Sequence, residues 1–271
     1  MEKKLFISSD IEGTCGIAHW DETMPEKSEY AAFADQMSRE VAAACEGALA
    51  GGAASILVRD AHNTARNIRP GMLPDTDRVR IFRGWGRDPY GMMSGLDATF
   101  SGAMFTGYHS ACGWSGNPLS HTMNTRNVYI TVNGEVCSEL MMNSLTAAMF
   151  GVPVLLAAGD EMLCEWFHTK VPQAVTVPVS HGVGNGSISI MPGEAVRRIR
   201  EGAERAMALD GSACLFPTPK DGHYEVEIMY RQHFDARANS WYPGAKQVSD
   251  RTVRFACDSW MDALTFIHFC L

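Results

Sequence analysis

"KLFISSDIEG", residues 4–13, runs three apolar residues, Leu5, Phe6 and Ile7, into two carboxylates one residue apart, Asp10 and Glu12. Side chains two apart in an extended segment share a face, so a strand ending this way points both acids at one place. Two such acids repel each other unless a positive charge sits between them. Outward from this run, short apolar strands alternate with helical stretches. "SEYAAFADQMSREVAAACEGALAGG" (28–52) predicts a long amphipathic helix stopped at Gly51-Gly52. "SILVRDAH" (55–62) predicts a second strand, and "ATFSGAMFTGYHS" (98–110) contains a third around 103–108. "NVYITVNGEV" (127–136) gives a fourth with an Asn-Gly turn at 133–134, followed by a helix over roughly 137–150 and the apolar strand "VPVLLAAGD" (152–160).

Strands separated by helices predict an α/β fold: a mostly parallel sheet with helices on both faces. The segment "ALDGSACLFPTPKDG" (208–222) breaks the periodicity and carries two prolines. It is therefore the expected boundary between an α/β domain over 1–210 and a smaller C-terminal lobe, or extension of the same sheet, over 223–271. There, "YEVEIMY" and "RTVRFAC" read as strands and "SWMDALTFIHFCL" as a final helix.

Composition narrows the function. A chain of 271 residues, 46% of them hydrophobic, can bury a sizeable core. Its net charge of -8, with Lys and Arg scattered among more numerous acids, argues against a nucleic-acid partner. No stretch approaches membrane-spanning length, and the apolar run near the N-terminus is too short for a signal-peptide core, so a soluble cytoplasmic protein is expected. The eight cysteines form no C-x-x-C pair, which leaves zinc-ribbon and thioredoxin-like readings unsupported; reduced, partly buried thiols are expected. "SHGVGNGS" (180–187) lacks the Lys-Ser/Thr of a phosphate loop and reads as a flexible loop lining the site or a subunit interface.

In a parallel sheet the C-terminal strand ends lie along one edge, the usual place for ligands. Three strands here finish in metal-binding side chains: Asp10 and Glu12, Asp60 and His62, and His109. A mixed carboxylate and imidazole set suits zinc, with cobalt or manganese as substitutes. Two acids and two histidines exceed what one catalytic zinc with an open position needs, so two metals sharing a bridging carboxylate is the more economical reading. Asp60 is expected to accept a hydrogen bond that orients His62 or a neighbouring ligand.

"SSDIEGTCG", "RDAHN", "FTGYHS", "LSHTMN" and "VNGEVCSELMMNS" stand in the order and approximate spacing of peptidase family M55, the zinc-dependent D-aminopeptidases. The chain resembles that family from residue 5 to about 160, and more weakly to its end. The resemblance implies a dinuclear zinc centre, two Zn2+ per subunit, held by Asp10, Glu12, His62, His109 and Glu139, with Asp10 as the suspected bridge. It implies His121 as the catalytic histidine, acting as acid/base, transition-state stabiliser or nucleophile. It also implies a homodecamer of two stacked five-membered rings, with the active sites facing an inner channel.

Within "GEVCSEL" the resemblance prefers Glu139 over Glu135, which follows the Asn-Gly turn and is expected to be solvated. Ser138 departs from the glycine usual there. The implied function is a metallo-aminopeptidase hydrolysing the N-terminal amide bond of short peptides or amino-acid amides. Alternatives are a dinuclear hydrolase of another amide or a phosphoester, for which the motif loops carry only Arg59 and Arg66, and a non-enzymatic metal-binding assembly subunit.

Overall fold

In the computed structural model, which describes residues 2–271, the opening run forms β1 (Lys3–Ser9), fully buried from Leu5 onward. The chain continues through α1 (Tyr30–Ala50), β2 (Ala53–Asp60), β3 (Val79–Phe82), β4 (Gly102–Tyr108), β5 (Asn127–Val132), β6 (Glu135–Val136), α2 (Glu139–Met149), β7 (Val154–Asp160) and α3 (Glu161–Lys170). Then follow β8 (Val175–Val183), β9 (Gly186–Ser189), α4 (Pro192–Ala206), β10 (Tyr224–Tyr230), α5 (His233–Asn239), β11 (Lys246–Gln247), β12 (Thr252–Cys257) and α6 (Trp260–Cys270). No described helix is long and apolar enough to cross a membrane.

The main sheet has seven strands in the order β3-β2-β1-β4-β7-β8-β9. All pairs are parallel except the β8–β9 hairpin. β1, β4 and β7 occupy its centre, and their near-continuous apolar sequences follow from burial on both faces. Helices flank the sheet: α1 and α4 pack on each other, α1 also on β1, β2 and β4, α4 on β7 and β8, and α3 on β7 and β8. Residues 180–187, expected as a flexible loop, are instead the body of the β8–β9 hairpin; it is pinned by Gly182 N–H donating to the Gly116 carbonyl and Ser187 Oγ to that of Ile17.

A separate antiparallel sheet has five strands in the order β11-β12-β10-β5-β6. The C-terminal strands therefore do not extend the first sheet. The strand read from "NVYITVNGEV" also leaves the parallel series: β5 pairs with β10 across nearly its whole length. The reason lies in patterning. β10 alternates buried and half-buried positions, Tyr224, Val226, Ile228 and Tyr230 facing inward, as a sheet with one covered face requires. α6 covers it, and its Trp260 Nε1 donates to Thr146 Oγ1 on α2 at 2.9 Å, tying this sheet to the helix that carries Glu139.

Candidate metal centre

The site sits where the end of β1 crosses the end of β4. Asp10 N–H donates to the Thr106 carbonyl at 2.9 Å and Gly13 N–H to that of Gly107 at 2.8 Å. The two backbones touch so closely that a Cβ on Gly13 would stand 1.8 Å from the Tyr108 oxygen. Gly107 adopts φ +68°, and the β4–β7 register slips between Phe105 and Tyr108. This bulge ends β4 with His109 facing Asp10.

The six side chains singled out by the sequence, Asp10, Glu12, His62, His109, His121 and Glu139, all meet here, and all are buried. His62 Nδ1 lies 3.3 Å from Asp10 Oδ1 and 3.0 Å from Glu12 Oε2. His109 Nε2 lies 3.5 Å from Asp10 Oδ2 and 3.6 Å from Glu139 Oε1. His121 Nε2 lies 3.6 Å from the same Glu139 oxygen and 4.0 Å from Glu12 Oε1, with its ring stacked on that of His109 at 4.4 Å and 7°.

The far nitrogen of each imidazole is bound to a main-chain carbonyl: His62 Nε2 to Thr23 at 3.0 Å, His109 Nδ1 to Ser110 at 2.9 Å and His121 Nδ1 to Leu119 at 2.8 Å. A carbonyl can only accept, so each far nitrogen carries a proton, and the near nitrogen of each ring is the one that faces the carboxylates. Two atoms in this contact zone, Glu12 Oε2 and His109 Nε2, are buried without any hydrogen bond. Buried polar atoms go unpaired at a cost, and a cation between donors resolves it.

Electrostatics agree. Burial disfavours the Asp10 carboxylate, yet His109 and His62 outweigh it and hold the group well below the usual carboxylate range. Burial likewise disfavours charge on His62 and His109, yet Glu12 and Asp10 on the first, and Glu139 and Asp10 on the second, raise both well above an ordinary imidazole. The pocket therefore demands positive charge, supplied by protons on the rings or by metal ions. The donor set, three carboxylates and three imidazoles, fits zinc.

Local structure explains each placement. Ser138 Oγ accepts from Met141 N–H at 3.0 Å and so caps α2; this is the physical role of the serine found where glycine is usual. Glu139, first residue of that helix, accepts from Met123 N–H at 2.7 Å. Glu135 is remote from the site and not merely solvated: Trp166 Nε1 and Lys170 Nζ both donate to it at 2.8 Å. Asp60 requires a correction, since the acceptor for the His62 ring is the Thr23 carbonyl. Asp60 accepts instead from Asn67 Nδ2 and Ile68 N–H, each at 2.8 Å, and braces the loop after β2.

Three supporting residues go unnoticed in sequence. Asp160, at the end of β7, accepts from Ser110 N–H and Oγ at 2.6 Å each and thereby fixes the carbonyl that His109 uses. Its signal is the one already read in β1 and β2, an acid closing an apolar strand. Asn117 Nδ2 donates to the Glu12 carbonyl at 3.0 Å while its Oδ1 accepts from Leu119 N–H, ordering the loop that carries His121. Glu40, on α1, accepts from Cys15 N–H at 3.0 Å behind the Asp10–Glu12 turn, and burial pushes its carboxyl up to about 7. Nothing local marks either of these two.

The centre opens into a cleft of about 320 Å³ walled by Trp20, Met24, Trp85 and Met92. A family model for peptidase M55, described as D-aminopeptidase, matches residues 3–269. The chain belongs to the M55 family. Among its relatives, the D-aminopeptidase of Bacillus subtilis (strain 168) is 28% identical over 267 residues, 96% of this chain and 93% of that protein. Among solved structures, the Zn-dependent D-aminopeptidase DppA from Bacillus subtilis, a self-compartmentalizing protease, matches with a TM-score of 0.89 at 25% identity, over 98% of this chain and 96% of that one. The chain is thus an M55 metallo-aminopeptidase, a hydrolase. In this M55 chain the aromatic wall also touches the cluster: Trp20 meets the His121 ring edge-on at 5.1 Å.

Proposed function

We propose that this M55 centre holds two zinc ions and removes the N-terminal residue from short peptides or amino-acid amides. The observation that carries it is the set of three imidazoles whose near nitrogens, with the far ones held by main-chain carbonyls, converge on three buried carboxylates. Asp10, Glu12 and His62 form one group of possible ligands, and His109, His121 and Glu139 a second, the donor atoms of each lying within 4.8 Å of one another. Asp10 faces both, through Oδ1 toward His62 and Oδ2 toward His109, which suits it to bridge. When bound, the ions acidify a water, polarise the scissile carbonyl and stabilise the oxyanion.

The chain's own side chains do the rest. His121 is the proton carrier: its Nδ1–H is committed to Leu119, so Nε2 is free to take a proton from the attacking water and return it to the departing amine. Stacking on His109 and the edge of Trp20 hold the ring at that angle. The second ligand group favours one other reading, in which His121 is itself a ligand. The metal content of His121→Ala separates the two.

We further propose a ring-based homo-oligomer, a decamer, whose channel admits short peptides and excludes folded chains. It is supported by the self-compartmentalizing relative and by Val183, Ile188 and Met191, apolar side chains 57%, 57% and 70% exposed along and just beyond the β8–β9 hairpin. Eight free cysteines, most of them buried, accord with the reducing cytoplasm.

The test is chelation followed by zinc titration, with bound metal counted by mass spectrometry and hydrolysis followed on a panel of amides, dipeptides and phosphoesters. Two equivalents per chain with activity on amides and peptides is expected. Full activity with one equivalent would overturn the dinuclear centre, and cleavage of phosphoesters alone would overturn the peptidase reading. Sedimentation giving a fully active monomer would remove the ring.

A further inference from the structure

Beside the metal cleft lies a second cavity of about 300 Å³, walled by Tyr90, Met142 and the last turns of α6, Leu264 and Ile267. Met92, Met123 and Asn124 line both cavities, so the two adjoin across these side chains.

The partition is firm on one side and soft on the other. Asn143 Nδ2 donates to the Tyr108 hydroxyl at 2.9 Å, that hydroxyl donates to Ser8 Oγ at 2.7 Å, and Ser8 donates to the Met92 carbonyl at 2.9 Å. This buried relay fixes Met92. Met123 is held at its backbone, where φ is +65° and its N–H donates to Glu139, while the residue as a whole stays 38% exposed and lines both cavities. A flexible, polarizable side chain in that position can yield to an occupant.

We infer that the second cavity is the subsite for the side chain of the substrate's N-terminal residue, and that it selects apolar side chains of leucine, methionine or phenylalanine size. The inference rests on the aminopeptidase reading. Met123, whose N–H donates to Glu139 at 2.7 Å, lines this cavity, so a scissile bond over the carboxylate and imidazole cluster has its neighbouring substituent beside it. Met142, Leu264 and Ile267 are 2–3% exposed and carry no polar group. They reward each added methylene and offer a charged side chain no partner, which leaves Arg126 and His268 as the basic side chains of the lining. Arg126, at the rim, is already engaged by the Leu271 carbonyl oxygen.

The experiment compares kcat/KM of the zinc-loaded protein for alanine, leucine, phenylalanine and glutamate amides in both enantiomers, with Ile267→Phe to fill the cavity and Leu264→Ala to widen it. Leucine amide of the accepted hand is expected to exceed alanine amide by at least roughly tenfold, with glutamate amide last. Ile267→Phe should cut the leucine-to-alanine ratio by a similar factor, and Leu264→Ala should raise phenylalanine relative to leucine. Ratios within one protein sample are insensitive to a partly unfolded fraction. In parallel, calorimetry measures binding of free leucine and alanine, which needs no turnover.

A protein that cleaves no amide, yet binds leucine over alanine and loses that preference in Ile267→Phe, would refute the aminopeptidase reading and keep the subsite. A protein that cleaves amides with alanine first, at ratios neither variant changes, would refute the subsite and keep the peptidase.

Discussion

Replacing His121 with alanine separates proton transfer from metal binding. The substitution removes a ring stacked on His109 at 4.4 Å and a hydrogen bond to the Leu119 carbonyl. An aromatic pair and a hydrogen bond together amount to about 1–3 kcal/mol. Against a domain stability of roughly 5–15 kcal/mol, the protein stays folded. Asp10, Glu12, His62, His109 and Glu139 remain, so both metal equivalents should remain. In the proposed mechanism, what is lost is the free Nε2 that carries the proton. A positioned acid or base contributes roughly 10²–10⁴-fold, or about 3–5 kcal/mol of barrier, and kcat should fall by that factor. The assay pairs metal counting with steady-state hydrolysis on one preparation, using His109→Ala as the contrast that loses metal. A His121→Ala protein that loses an equivalent would make this histidine a ligand. One that keeps both equivalents and near-normal turnover would leave it without a chemical role.

Ser138→Ala removes the cap of α2 and should lower stability by about 0.5–2 kcal/mol, with weakened zinc affinity because Glu139 opens that helix; Ser138→Gly should cost only a few tenths, as comparative melts would show. Gly13→Ala forces a Cβ into the Tyr108 backbone and should strongly depress the melting temperature, whereas Gly193→Ala, with open space around it, should leave it unchanged or raised. In chelated protein, Asp10 contributes stability above about pH 4 and loses it only in stronger acid, because its folded value is depressed. His62 and His109, raised in the folded state, contribute fully below about pH 6.5 and lose that stability as pH rises through their folded values. The melting temperature of chelated protein should therefore fall as pH rises above about 6.5, while the gap to the zinc-loaded protein, whose rings would bind metal unprotonated, widens; a chelated protein that gains stability as pH rises would contradict the buried imidazole and carboxylate pairing.

The sequence by itself determined the local elements and the chemistry at their ends. Apolar runs of strand length, the 28–52 helix with its glycine stop, and acids and histidines closing β1, β2 and β4 are short-range properties, written in periodicity and caps. The convergence of Asp10, Glu12, His62 and His109 followed from one topological rule, that parallel strand ends share an edge. Tertiary structure alone decided which sheet a strand joins: β5 has the same local pattern whether it pairs with β4 or β10, and its partner lies about a hundred residues away. It alone decided that Thr23, not Asp60, orients His62, that Asp160 and Asn117 brace the loops behind His109 and His121, and that His121 lies as close to Glu139 as His109 does. The lone pair of an imidazole is aimed by whichever carbonyl the fold brings to its other nitrogen, and that carbonyl leaves no mark in the identity of the residue that carries it.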